Sequence, residues 1–170
     1  MTRLTQHTKY YQVSLFLLTL LMSSCGFNLR GNYLLPENLQ TLYVNSTDVH
    51  GQLTRLVKRH LAVNQVNLLS AYQTDQPELY ILKDKLDRRT LSVFPNGQVA
   101  EYELIYSVEY QLRLPEQAPQ TLRFELYRDY QDDPDSALAK SRELSLLLTE
   151  MRREAADKIL RDMASIKVAQ

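Results

Sequence analysis

The 170-residue chain carries 20 basic and 20 acidic side chains, and this zero formal charge excludes the global positive footprint of a nucleic-acid binder. A single cysteine excludes an internal disulfide and any cysteine-built zinc site, while only four glycines and six prolines exclude collagen-like and low-complexity chains. No internal repeat occurs at solenoid periods.

Residues 1–24 read as an export signal. Arg3 and Lys9 precede a run from Val13 to Met22 that is apolar except for Ser14 and Thr19, too short for the roughly 20 residues of a membrane span. Ser23 and Ser24 are small enough to enter a narrow peptidase site directly before Cys25, the one thiol that can take a thioether-linked lipid. The stretch Leu21-Met22-Ser23-Ser24-Cys25 resembles a bacterial lipoprotein box, although Met22 stands where such boxes carry Leu. A covalent lipid on Cys25 is therefore expected, with no other cofactor; a plain signal leaving a free thiol is the alternative. Gly26 follows where an aspartate would signal inner-membrane retention, so the expected location is the outer membrane, lipid-anchored. The signal removes two cations and no acid, leaving residues 25–170 slightly acidic and of the usual size for one domain.

Residues 25–38 mix apolar residues with Asn, Gly and Pro in no period and read as an extended tether. A short strand is expected at 39–45, with Leu42 and Val44 on one face, and Ser46, Thr47 and Asp48 then offer helix-capping oxygens. Leu53, Leu56, Val57 and Leu61 form one stripe of an amphipathic helix over 51–63, ended by Asn64 in a left-handed conformation. Arg55, Lys58 and Arg59 lie on or beside its other face, either as a solvated face or as a patch for an anionic partner. Residues 66–69 add a few extended positions.

A long strand is expected over 79–94, with a bulge where its alternation slips at 87–89. Pro95 and Gly97 then predict a hairpin turn. In the returning strand Leu104, Tyr106, Val108, Tyr110, Leu112 and Leu114 share one face, and Leu122, Phe124 and Leu126 repeat the alternation in a last strand ending near Tyr130. Asp133 and Pro134 open a long final helix whose apolar positions run from Leu144 to Ile166 in steps of three and four. The domain, residues 39–166 with a tail at 167–170, is thus expected to be α+β. It is a two-layer α/β sandwich in the order β-α-β-β-β-α, with two helices on one face of a four-stranded mixed sheet.

No catalytic constellation rises above background, since His50 sits in a polar turn, His60 reads as a surface or rim histidine of the first helix, and Asp132 and Asp133 are helix-start residues first. The chain reads as a binder and not an enzyme. Lys83, Lys85, Arg88 and Arg89 fall on one strand, where they either guard a sheet surface against aggregation or contact phosphate groups.

Three stretches, CGFNLRG at 25–31, SVFPNGQVAEYEL at 92–104 and DDPDSALAK at 132–140, resemble the lipopolysaccharide-assembly lipoprotein family LptE, in the family's order. That resemblance implies a two-layer α/β fold and an outer-membrane lipoprotein. It also implies a plug inside the barrel protein LptD, assistance to that barrel's folding, and contact with lipopolysaccharide. It places the family's lipopolysaccharide-contacting lysine at Lys140, while the second basic position, at the hairpin, is Pro95 here, leaving Arg88 or Arg89 to substitute. The rival reading is a periplasm-facing lipoprotein that binds peptidoglycan or a small ligand without a barrel partner.

Overall fold

A computed structural model of the protein describes residues 35–166; the signal, Cys25, most of the tether and the tail at 167–170 lie outside the described residues. The described end of the tether belongs to the core. Leu35 is buried, and a single 3-10 turn over Glu37–Leu39 places Leu39 fully inside.

Strand β1 (Thr41–Ser46) buries Leu42 and Val44 on the expected face. Helix α1 (Gln52–Val63) follows, burying Leu53, Val57 and Leu61. Its start differs from expectation. Gly51 is the N-cap and no side chain caps it; the Ser46 hydroxyl instead accepts from the Asp48 amide, and the Asp48 carbonyl accepts from Thr54 Oγ1 at 2.8 Å. The polar residues before the helix thus build the approach turn and anchor Thr54 from below. Its end differs too. Asn64 stays at φ −85°, donating its amide to the His60 carbonyl, and Gln65 takes the left-handed conformation at φ 63°. The paired bonds Val66 N to Leu61 O and Gln65 N to Ala62 O make a Schellman closure, with Val66 and Leu61 both in the core.

The sheet has five strands rather than four. Asn67–Leu69 forms β2, parallel to β1, and the order is β2-β1-β3-β4-β5. Strand β3 (Glu78–Val93) runs parallel to β1 and antiparallel to β4 (Val99–Arg113), which pairs antiparallel with β5 (Gln120–Gln131). The hairpin closes as expected, with Gly97 at φ 84° and Phe94 N bonded to Gln98 O at 2.8 Å.

The expected bulge at 87–89 is absent, because residues 83–90 pair without interruption against 102–109. The extra residues are Leu82 and Leu91 on β3, and Ala100 on β4. Inserting Leu82 reverses the parity of the strand. Leu79 and Ile81 point to the core before it, and Asp84, Leu86 and Arg88 share the core-side face after it, opposite Val108, Tyr106 and Leu104.

Asp133 opens the last element as expected, its carboxylate accepting from the Asp135 amide at 3.0 Å with Pro134 next in line. One 3-10 turn (Pro134–Ser136) precedes α2 (Ala137–Ser165). Met151, Ala155, Ile159 and Met163 of its predicted stripe are buried, whereas Leu144 and Leu148 are only half covered. Both helices pack on one face, and their apolar sides join Leu79, Ile81 and the β4 row Leu104, Tyr106, Val108, Tyr110 and Leu112 in one core.

Candidate functional site

Lys140 sits in the first turn of α2, where the helix passes over the end of β5. Its side chain is 17% exposed, and its Nζ lies 4.9 Å from the centre of the Tyr130 ring and 2.7 Å from Glu143. The Tyr130 hydroxyl donates to the Lys140 carbonyl at 3.0 Å. One buried tyrosine therefore holds both ends of the residue, its hydroxyl fixing the backbone and its ring seating the ammonium.

Tyr130 stands directly across from Tyr102 on β4, and the guanidinium of Arg88 lies 5.9 Å from the centre of the Tyr102 ring. Two cross-strand tyrosines thus carry two cations on the helix side of the sheet. The Glu143 hydrogen bond raises the Lys140 pKa, outweighing the opposing effect of desolvation, so the ammonium stays charged. Burial raises the Tyr130 pKa, reinforced by the Asp132 charge, while Lys140 and Arg88 pull it down. The phenol remains protonated and keeps its donor. Among the described residues Arg88 has no ion-pair partner.

The other expected cations point elsewhere. Lys83, Lys85 and Arg89 share the opposite parity on β3 and face away from the helices. There Lys85 pairs with Asp87 and Arg89 with Glu103, each at 2.6 Å. The hairpin tip supplies no cation. Phe94, Pro95, Asn96 and Gln98 face Asp133, Pro134 and Asp135 across a cleft of about 500 Å3. Phe94 of that cleft is exposed, as are Leu91 and Val93 just before it in the chain, and Leu138, in the first turn of α2, is 81% exposed. The arrangement holds the guanidinium of Arg88 and the Glu143-paired ammonium of Lys140 on two neighbouring rings, which suits an anionic group.

Tyr102 and Tyr130 are the members of this cluster that sequence reasoning did not single out. Their only signal is parity: each continues the inward alternation of its strand past the last aliphatic residue. Among the described residues no group of three His, Cys, Asp or Glu side chains could hold a metal, and no helix is long and apolar enough to cross a membrane.

The LptE family model, described as lipopolysaccharide-assembly, matches residues 39–163. The LPS-assembly lipoprotein LptE of Pectobacterium atrosepticum is 34% identical over 163 residues, 95% of this chain and 89% of its own. The corresponding protein of Yersinia enterocolitica is 35% identical over 91% of this chain and 75% of its own. Among solved structures, the rare lipoprotein B of Shewanella oneidensis superimposes with a TM-score of 0.68 at 49% identity, covering 74% of this chain and 94% of that one. These likenesses run through the strands and helices that build the tyrosine-seated cations, and the chain belongs to the LptE family of non-enzymatic lipopolysaccharide-assembly lipoproteins.

Proposed function

We propose that the protein is an outer-membrane lipoprotein, anchored through lipid on Cys25, that seats as a plug in the barrel of LptD, assists that barrel's folding, and contacts lipopolysaccharide through Lys140 and Arg88. The observation that carries the contact is the seating of both cations on the paired rings of Tyr130 and Tyr102. A cation held on a ring has already lost much of its rotamer freedom and part of its water, so binding a phosphate costs less ordering than it would for a free surface lysine. Lys140 supplies a point charge and Arg88 a fork that can grip two oxygens of one phosphate. Exposed Leu138, two residues from Lys140, can meet the apolar part of such a molecule.

Lys83, Lys85 and Arg89 take no part in this contact, because all three lie on the side of the sheet opposite Arg88 and the helices. Their surface is mostly charged and polar, with Ile105 and Tyr127 among its residues, and suits the wet interior of a barrel. Purification of the tagged full-length protein from detergent-solubilised outer membrane tests the partner. Stoichiometric recovery of LptD is expected; recovery with peptidoglycan and no barrel would overturn the proposal.

A further inference from the structure

The basic face of α1 borders a groove that the contact above does not use. Gln52, Arg55, Leu56 and Arg59 of α1, with Thr149 of α2, line a space of about 420 Å3, within the usual range of small-ligand sites. Thr149 lies nine residues beyond Lys140 along α2, about 13 Å at 1.5 Å per residue, so this is a separate place on the surface. Helix α1 contains no acidic residue. Asp157, the acid that reaches it from α2, is taken up by His60 at 2.9 Å.

The lining groups have defined roles left to them. One nitrogen of Arg55 donates to the His50 carbonyl, which holds its guanidinium at the rim and leaves the rest of the fork available. Arg59, one turn further, makes no ion pair among the described residues. Oε1 of Gln52 accepts from Arg152, so the free part of that amide is its NH2 donor. Thr149 spends its proton on the Ser145 carbonyl at 2.8 Å, so its oxygen is left as an acceptor. Leu56, half-buried, supplies an apolar floor. Two guanidinium forks fit one tetrahedral oxyanion. A donor and an acceptor beside an apolar surface fit the hydroxyls and the C–H face of a sugar ring.

We propose that this groove binds a phosphate group carried on a hydroxylated, sugar-sized scaffold, independently of the contact at Lys140. The test is an NMR titration of the full-length protein in detergent micelles with glucose 1-phosphate, inorganic phosphate and glucose. Glucose 1-phosphate should produce saturable shifts at Gln52, Arg55, Arg59 and Thr149, with a Kd at least several-fold lower than that of either half-ligand. Arg55→Gln/Arg59→Gln should weaken it about tenfold or more. Lys58→Gln, which removes the same kind of charge from the same helix outside the groove, should change it less than twofold. Both arginines are exposed, so their variants keep the fold; Arg59→Gln alone, with a several-fold loss expected, serves as a milder check. Inorganic phosphate binding as tightly as the sugar phosphate would overturn the scaffold assignment. Absent saturation, or equal losses from Lys58→Gln and the arginine pair, would overturn the site.

Discussion

The phenol of Tyr130 donates a 3.0 Å hydrogen bond to the carbonyl oxygen of Lys140 while its ring lies 4.9 Å from the ammonium of the same residue. The two contacts can be separated by substitution. Tyr130→Phe keeps the ring and removes the donor, so it should cost about 1 kcal/mol of stability with lipopolysaccharide affinity reduced less than threefold. Tyr130→Leu removes the ring as well and should weaken binding several-fold more. Chemical denaturation and lipopolysaccharide titration of both variants check this; equal binding losses would show that the ring does not seat the cation.

Arg88 and Arg89 are neighbours in sequence but face opposite sides of the sheet, the first beside Tyr102 and the second paired with Glu103 at 2.6 Å. Arg88→Gln should therefore weaken lipopolysaccharide binding by roughly tenfold and reduce its dependence on salt. Arg89→Gln should leave binding within twofold of the parent. A larger loss from Arg89→Gln would place the contact on the open face of the sheet.

How much of this was readable in advance depended on whether local chemistry decided the outcome. The β4 row from Leu104 to Leu112, the turn with Gly97 at φ 84° and the Asp133-Pro134 helix start each follow from residues within a few positions. The side on which Arg88 lies does not. It depends on the first of the two extra residues in β3 falling at Leu82 and not within the charged stretch, a choice made by pairing with β1 and β4. Strand β2 is three residues long and exists only through its partner β1, so no alternation could announce it. Lys140 was found by family resemblance, and Tyr130 became visible only once β5 and α2 were placed together.

Gln65 occupies a left-handed conformation, φ 63°, that costs a residue with a Cβ about 1–2 kcal/mol. Its side chain is exposed. Gln65→Gly should relieve that strain, and after the greater chain entropy of glycine in the unfolded state a net gain of about 0.5–1 kcal/mol remains. Thermal denaturation should show Tm rising by a few degrees. A fall in Tm would mean that the glutamine side chain contributes more than the backbone strain costs.

Tyr106 and Tyr110 are almost fully buried, and their hydroxyls donate to Asp84 and Asp162. Desolvation, with the neighbouring carboxylates adding to it, pushes both pKa values well above the ordinary tyrosine range. The folded state thus holds these protons after the unfolded chain has released its own near pH 10. The stabilisation is complete below pH 10 and is lost as pH rises above it, by about 1.4 kcal/mol per pH unit for each tyrosine. Denaturation at pH 9, 10 and 11 should show this steep loss, and Tyr110→Phe should make it shallower. An unchanged slope in that variant would contradict the assignment.

The contact at Lys140 is tested most directly by the affinity of the full-length protein for lipopolysaccharide, measured across low and moderate salt for the parent and for Lys140→Ala. It predicts that the parent binds more weakly as salt rises, because a phosphate contact is screened. It also predicts that Lys140→Ala lowers affinity by about tenfold at low salt, flattens the salt dependence, and leaves both Tm and recovery with LptD intact. Equal affinities of parent and variant at every salt concentration would contradict the contact at Lys140.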